Sequence, residues 1–169
     1  MQLKNIEIKA RCAHPTQVEE YLVGHNAYFK GLDHQRDTYF NVHRGRMKLR
    51  EGIIENALIH YDRVEGPGLK KSEILLYKVV GDAATLRDIL IRAFGVLKVV
   101  EKERSIYYID HIKFHIDHIP QLGDFVEIEV IDETGTMDEA TLRDQCRHYM
   151  KELGIADEDL VAHSYSDML

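Results

Sequence analysis

Arg44-Gly45-Arg46-Met47-Lys48-Leu49-Arg50 places a cation at every second position, with the apolar Met47 and Leu49 between the last three. In an extended strand successive side chains point to opposite faces, so Arg44, Arg46, Lys48 and Arg50 form one row. Taken alone, such a row also suits a strand whose charged face meets water. Its weight comes from other segments that repeat the pattern, some with carboxylates in place of cations. Together they read as the walls and counter-charges of one polar cavity.

Upstream, Gln35 to Val42 reads as a partner strand joined through His43 to Gly45 in a hairpin. Asn5 to Arg11 alternates strictly, with Glu7, Lys9 and Arg11 on one face and Ile6, Ile8 and Ala10 on the other. Between them His14-Pro15-Thr16 breaks the pattern, Gln17 to Val23 reads as a short helix, and Gly24 and Gly31 mark a loop. Downstream, Ala57 to Glu65 and Ser72 to Val80 read as strands around the turn signal Glu65-Gly66-Pro67-Gly68. Asp82 to Phe94 shows helical spacing in Leu86, Ile89, Leu90 and Ala93, with Gly95 as its stop. Lys98 to Ile109, Ile112 to Ile119 and Phe125 to Val130 add three strands. A long helix capped by Thr136 or Asp138 runs through Leu153.

About eight strands that mostly follow one another through turns, with three helices, predict an antiparallel α+β architecture. Eight strands can close into a β-barrel and so remove the edges of an open sheet. The charge pattern predicts an unusual barrel, with ionic groups inside and apolar groups outside under flanking helices. No repeat, linker or low-complexity segment divides the chain, so residues 1–169 are expected to form a single domain.

Glu7, Glu127 and Glu129 bring three carboxylates together from two strands. They would repel one another unless a cation sat among them, and hard oxygen ligands suit Mg2+ or Mn2+. Solvated glutamates, or glutamates paired with neighbouring lysines, fit the same residues. Lys9, Arg11, Arg46, Lys48, Arg50, Arg63, Lys102 and Arg104 form the cationic set. Arginine offers a planar fork that matches phosphate oxygens, and lysine a mobile point charge. Crowded inward they would repel one another unless an anion or carboxylates neutralise them, and removing one is expected to stabilise the ligand-free protein. A polyphosphate bridged by a divalent metal would satisfy both sets. The alternative is internal Glu–Arg pairing around an open two-layer sheet, which carries a desolvation penalty.

His115 shares a face with Lys113 and Asp117 and can line the cavity, whereas His111 and His118 read as surface or loop residues. No Cys or His partner completes a zinc spacing, and neither a glycine-rich phosphate loop nor a nucleophile motif is present. The formal net charge of −7, from 29 acidic and 22 basic residues, argues against a general nucleic-acid binder. Basic residues gathered in one place can still bind a small anion. No apolar run approaches the roughly 20 residues that span a bilayer, so no membrane partner is expected. Met1 to Asn5 lacks the apolar core of a secretory signal, and Cys12 and Cys146 show no disulfide framework. A cytoplasmic protein is the simplest expectation.

Asn5-Ile6-Glu7-Ile8-Lys9 resembles the E-x-E-x-K signature that opens the CYTH superfamily of triphosphate tunnel enzymes. Glu101 to Tyr108, Phe114 to His118 and Leu122 to Glu129 resemble blocks of the class IV adenylyl cyclases within it. Leu49-Arg50-Glu51, Gly66-Pro67-Gly68 and Ser164-Tyr165 also look similar, and the blocks in order cover most of the chain. The resemblance implies a closed eight-stranded tunnel, a divalent metal (Mg2+ or Mn2+) and a nucleoside or other organic triphosphate as substrate. It points to Glu7 and Glu127 as metal ligands, with Glu129 as an additional one. It points to Lys9, Arg50, Lys102 and Arg104 as phosphate contacts, and Arg63 and Lys48 fit by position. Glu7, Glu127, Glu129 and Lys102 are then the catalytic set, and His115 and Asp117 further substrate contacts.

Asn5 departs from the signature: an amide brings no negative charge, which leaves one metal or two open. The expected reaction is ATP to cyclic AMP and pyrophosphate. A triphosphatase releasing orthophosphate and a non-catalytic polyphosphate-binding module are the alternatives, and a homodimer is one admissible assembly.

Overall fold

The computed structural model describes residues 2–63 and 68–169. Its strands are β1 (Gln2–Arg11), β2 (Tyr28–Phe40), β3 (Arg46–Glu51), β4 (Ala57–Arg63), β5 (Lys70–Lys78), β6 (Val96–Ile109), β7 (Ile112–Ile119) and β8 (Gly123–Asp132). The helices are α1 (Pro15–Gly24), α2 (Ala83–Phe94), α3 (Glu139–Glu152) and the single turn α4 (Tyr165–Met168). All strand pairs are antiparallel, in the order β1-β5-β4-β3-β2-β6-β7-β8, and β8 pairs back to β1 to close the barrel. The expected α+β barrel with flanking helices is the one found. The turn expected at Glu65-Gly66-Pro67 lies outside the described residues.

Alternation explains the layering. Ile6, Ile8 and Ala10 of β1 point outward with Ile112, Phe114, Ile116, Val126, Ile128 and Val130 of β7 and β8. Val18 and Leu22 of α1 and Leu142 and Cys146 of α3 cover them, forming the main core. On the other side Leu90 of α2 covers Phe40 and Leu49, and Met47 and Leu86 join this smaller cluster. Asp82 caps α2 by accepting from the Thr85 N–H at 2.9 Å, and Gly95 ends it at φ 73°. Ile89 and Ala93, expected on the covered side of α2, are exposed. The cluster beneath the helix engages only Leu86 and Leu90, one turn apart, so the rest of the apolar stripe meets no partner there.

Two expectations change. β2 begins at Tyr28 rather than Gln35, because Gly31 is a strand irregularity and not a loop. Its φ of 140° is a backbone conformation that favours glycine there. The second change concerns β4 and β5. Ala57, Ile59 and Tyr61 turn inward and pack with Ile74 and Leu76, while Leu75 and Tyr77 on the outer face of β5 stay exposed. β4 is thus apolar on both faces, since Leu58 packs outward with Phe40 and Leu49, while β5 turns Ile74 and Leu76 to the cavity.

After α3 the chain returns along β1, where the Val161 N–H donates to the Lys9 carbonyl at 2.8 Å. It then brings Tyr165 into a buried cluster with Tyr39, Val100, Ile119 and Phe125. Among the described residues no helix is long and apolar enough to cross a membrane.

Candidate active site

The barrel encloses a cavity of about 500 Å³. Of the cationic row on the β2–β3 hairpin, only Lys48 and Arg50 line it. Arg44 sits in the turn, 87% exposed, with Nε 3.3 Å from Asp62. Arg46 turns toward the C-terminal segment and lies 2.9 Å from Asp167.

The partner face of β2 is Asp33, Gln35, Asp37 and Tyr39, a polar row at period two. Asp37 is fully buried and its Oδ2 accepts from Lys48 Nζ (2.9 Å), Arg50 Nη2 (2.8 Å) and Lys102 Nζ (3.0 Å). Burial pushes its carboxyl up, but Arg50, Lys102 and Lys48 outweigh that and hold it well below the usual carboxylate range. Burial and the neighbouring Arg104 pull the Lys102 ammonium down, against Asp37.

Asp33 shapes the loop after β3. Its Oδ1 accepts from the N–H groups of Ile53 (2.7 Å) and Ile54 (2.9 Å), and its Oδ2 from Glu55 N–H (3.0 Å). A Cβ at Gly52 would lie 2.6 Å from Asp33 Oδ2, so this close approach needs glycine. The loop delivers Glu55 into the cavity, where it meets Arg50 Nη1 (3.2 Å) and Lys113 Nζ (2.5 Å). Burial raises the Glu55 carboxyl, and Lys113 and Arg50 override it, so the group stays far below its ordinary value.

Arg104 forks onto Asp117 through Nε (2.6 Å) and Nη2 (2.5 Å), and Nη2 also reaches Glu127 Oε2 at 3.0 Å. The Tyr165 hydroxyl donates to Asp117 at 2.7 Å. Asp117 therefore sits behind Arg104 as its support, and the cavity lining contains Arg104 but not Asp117. Lys9 Nζ is 3.2 Å from Glu127 Oε1 and 3.6 Å from the centre of the Tyr165 ring. Burial raises the Glu127 carboxyl, and Arg104 and Lys9 together hold it well below its ordinary range.

His115 is almost fully buried, with Nδ1 3.1 Å from Glu127 Oε2 and 3.6 Å from Glu129 Oε1. Burial, then Arg104 and Lys113, lower its pKa to about 3, so the ring is neutral at ordinary pH. Ligand atoms of His115, Glu127 and Glu129 all lie within 4.8 Å of one another. Two carboxylates and a neutral imidazole form a donor set that suits a divalent cation, Mn2+ as well as Mg2+. The convergence differs from the expected trio. His115 takes the third place, while Glu7 lines the cavity opposite Glu129 in the strand register. Asn5 lies beside it, its Nδ2 3.3 Å from Glu7 Oε2. The Arg63 side chain lies outside the described residues.

The cations are crowded inward as expected, and carboxylates neutralise them. Lys9, Lys48, Arg50, Lys102, Arg104 and Lys113 each lie within 3.2 Å of a carboxylate oxygen. Deleting one of them removes a partner from a carboxylate as well as relieving the repulsion that pulls the Lys102 ammonium down. Internal pairing, expected only around an open sheet, occurs inside the closed barrel. Asp33, Asp37 and Glu55 join the site without having been expected there. The alternation of Asp33, Gln35, Asp37 and Tyr39 is the signal that marks the first two, whereas nothing local marks Glu55.

Glu129 gives the site a testable pH signature. Burial raises its pKa to about 7, with Glu7 and Glu127 adding to the effect and Lys113 opposing it. Between its ordinary value of 4.5 and about 7 the folded state holds a proton that the unfolded chain has released. Stability therefore falls as pH rises through that window. Metal-free wild type is expected to lose melting temperature between about pH 5 and 7.5 relative to Glu129→Gln. Parallel profiles for the two proteins would contradict the assignment.

Comparison with known proteins agrees with this architecture. A search of curated proteins finds no match. Among solved structures, the PH1012 protein of Pyrococcus horikoshii OT3 superposes with a TM-score of 0.84 at 22% identity, over 98% of this chain and 99% of that one. An adenylate cyclase candidate from Vibrio parahaemolyticus gives 0.71 at 17% identity, over 97% of this chain and 96% of that one. HpAC1 from Hippeastrum, an adenylyl cyclase candidate with a dominant triphosphatase activity, gives 0.66 at 14% identity, over 97% and 93% of the two chains. At such identities the likeness shows the fold. The CYTH domain model matches residues 3–165, nearly the whole chain, and the protein belongs to the CYTH domain family.

Proposed function

We propose that the protein is a metal-dependent enzyme acting on the phosphate chain of an organic triphosphate, with ATP converted to cyclic AMP and pyrophosphate. The supporting observation is one cavity that holds both oriented cations and a carboxylate–imidazole cluster able to take a divalent metal. Lys48, Arg50 and Lys102 are held in place by Asp37, so their remaining N–H groups are oriented before a phosphate arrives. Arg104, fixed by Asp117, presents charge next to Glu127 on the metal side. When bound by His115, Glu127 and Glu129, a divalent cation supplies charge neutralisation on phosphate oxygens and a lower pKa for an oxygen nucleophile. In cyclisation the ribose 3′-hydroxyl gives its proton to water, its oxygen bonds to the α-phosphorus, the bond to the bridging oxygen breaks, and pyrophosphate leaves with that bond's electron pair.

A second reading is hydrolysis at the γ-phosphorus. Two observations favour it: Glu129 is held near neutrality, in the range useful to a general base, and HpAC1 shares the fold. Glu129 would then take a proton from water instead of completing the metal's ligands. Incubation with ATP and Mn2+, resolved by phosphorus NMR, separates the readings. Cyclic AMP with pyrophosphate is the expected result. ADP with orthophosphate rejects cyclisation, and no turnover of ATP or tripolyphosphate rejects the enzyme reading.

A further inference from the structure

The cavity has one wall unlike the others. Ala57, Ile59 and Tyr61 of β4 and Ile74 and Leu76 of β5 face inward, across the barrel from the charged rows of β6 and β7 and next to that of β1. Ala57, Ile59 and Tyr61 are already buried, whereas Ile74 and Leu76 keep part of their apolar surface open to the cavity, and covering it is favourable. On its outer face β5 leaves Leu75 and Tyr77 exposed, so its inward apolar residues are not a by-product of a polar outer face.

Register ties this wall to the phosphate-type cations. Ile59 stands opposite Lys48 and Ala57 opposite Arg50 in the β3–β4 ladder. The Tyr61 ring centre lies 5.9 Å from Lys48 Nζ. Neighbouring strands are roughly 4.8 Å apart, so a group attached to a phosphate held at Lys48 or Arg50 reaches the wall directly. The cavity of about 500 Å³ falls within the roughly 300–1,000 Å³ typical of sites that bury a drug-sized ligand. Inorganic tripolyphosphate alone has no use for such a surface.

We propose that the β4–β5 wall seats the organic group of the triphosphate and that this group presents an uncharged aromatic face to it. The aromatic face packs on Ile59, Ile74 and Leu76 while the phosphate chain runs to Lys48 and Arg50. Recognition by an apolar surface reads shape and aromaticity more than hydrogen-bonding pattern, so the site tolerates several ring systems. The proposal rests on the triphosphate reading above and adds the chemistry of the group that the phosphates carry.

Calorimetry in the presence of chelator, which holds turnover back, tests it with inorganic tripolyphosphate, methyl triphosphate and benzyl triphosphate. Covering an apolar wall with a benzyl group is expected to make benzyl triphosphate bind about tenfold or more tighter than methyl triphosphate. Ile74→Thr, which keeps a β-branched strand residue, is expected to bring that ratio close to one. Equal affinities of the methyl and benzyl esters in wild type, with tripolyphosphate still bound, overturn the wall's role and leave the phosphate site standing. A wild-type preference that Ile74→Thr leaves intact also overturns the assignment to this wall. Failure of all three to bind, with Mn2+ present as well as with chelator, overturns the triphosphate reading and the wall's role with it.

Discussion

Asp37→Ala is expected to lower the melting temperature of the ligand-free protein by roughly 6–20 °C. The carboxylate it removes is fully buried and accepts from Lys48, Arg50 and Lys102 at 2.8–3.0 Å. Those cations would remain inside the barrel, and breaking a buried ion pair by removing one partner costs about 3–5 kcal/mol. For a chain of this size each kcal/mol corresponds to about 2–4 °C. Arg50 keeps Glu55 at 3.2 Å, so the loss falls mainly on Lys48 and Lys102. Added tripolyphosphate should recover much of the lost melting temperature, because it restores negative charge beside the same cations. Thermal unfolding with and without tripolyphosphate measures both effects. A shift below about 2 °C would show that Asp37 is not the counter-ion of this cluster.

Glu127→Gln is expected to abolish metal-dependent turnover and to weaken Mn2+ binding by at least about 100-fold, while the barrel stays folded. Glu127 lies where His115, Lys9 and Arg104 converge, at 3.0–3.2 Å. The amide keeps the shape of the side chain and its hydrogen-bonding oxygen but loses the charge that attracts a divalent cation. Arg104 retains Asp117 as its bidentate partner, which preserves the local packing. Titration calorimetry with Mn2+, alongside a thermal melt, separates loss of the site from loss of the fold. Unchanged metal affinity in a folded variant would remove Glu127 from the ligand set.

Much of the fold is legible in the sequence because alternation is a local property. Each of the strands built on Asn5–Arg11, Arg46–Glu51 and Ile112–Ile119 carries its polarity on alternate residues, and each is found as a strand. The end of α2 is legible in Gly95 for the same reason, since a helix stop needs only the backbone freedom of one residue. Gly31 misleads because the same freedom serves a loop or a strand irregularity, and only the pairing with β6 distinguishes them.

The sequence by itself determined which side chains share a face: period two is dictated by the stereochemistry of the extended backbone. Lys102 with Arg104, Glu127 with Glu129, and Lys48 with Arg50 are grouped by that spacing alone. Only the tertiary structure decided which face turns inward and which charge meets which. Alternation alone is the same for a strand and its mirror-facing neighbour, so the inward turn of Ile59 and Ile74 has no local signature. Asp37 and Lys102 are 65 residues apart, and Lys113 and Glu55 are 58 apart. Their contacts depend on barrel closure and on a loop held by Asp33, and burial then fixes the charge states, because a carboxylate's pKa follows from the cations packed around it.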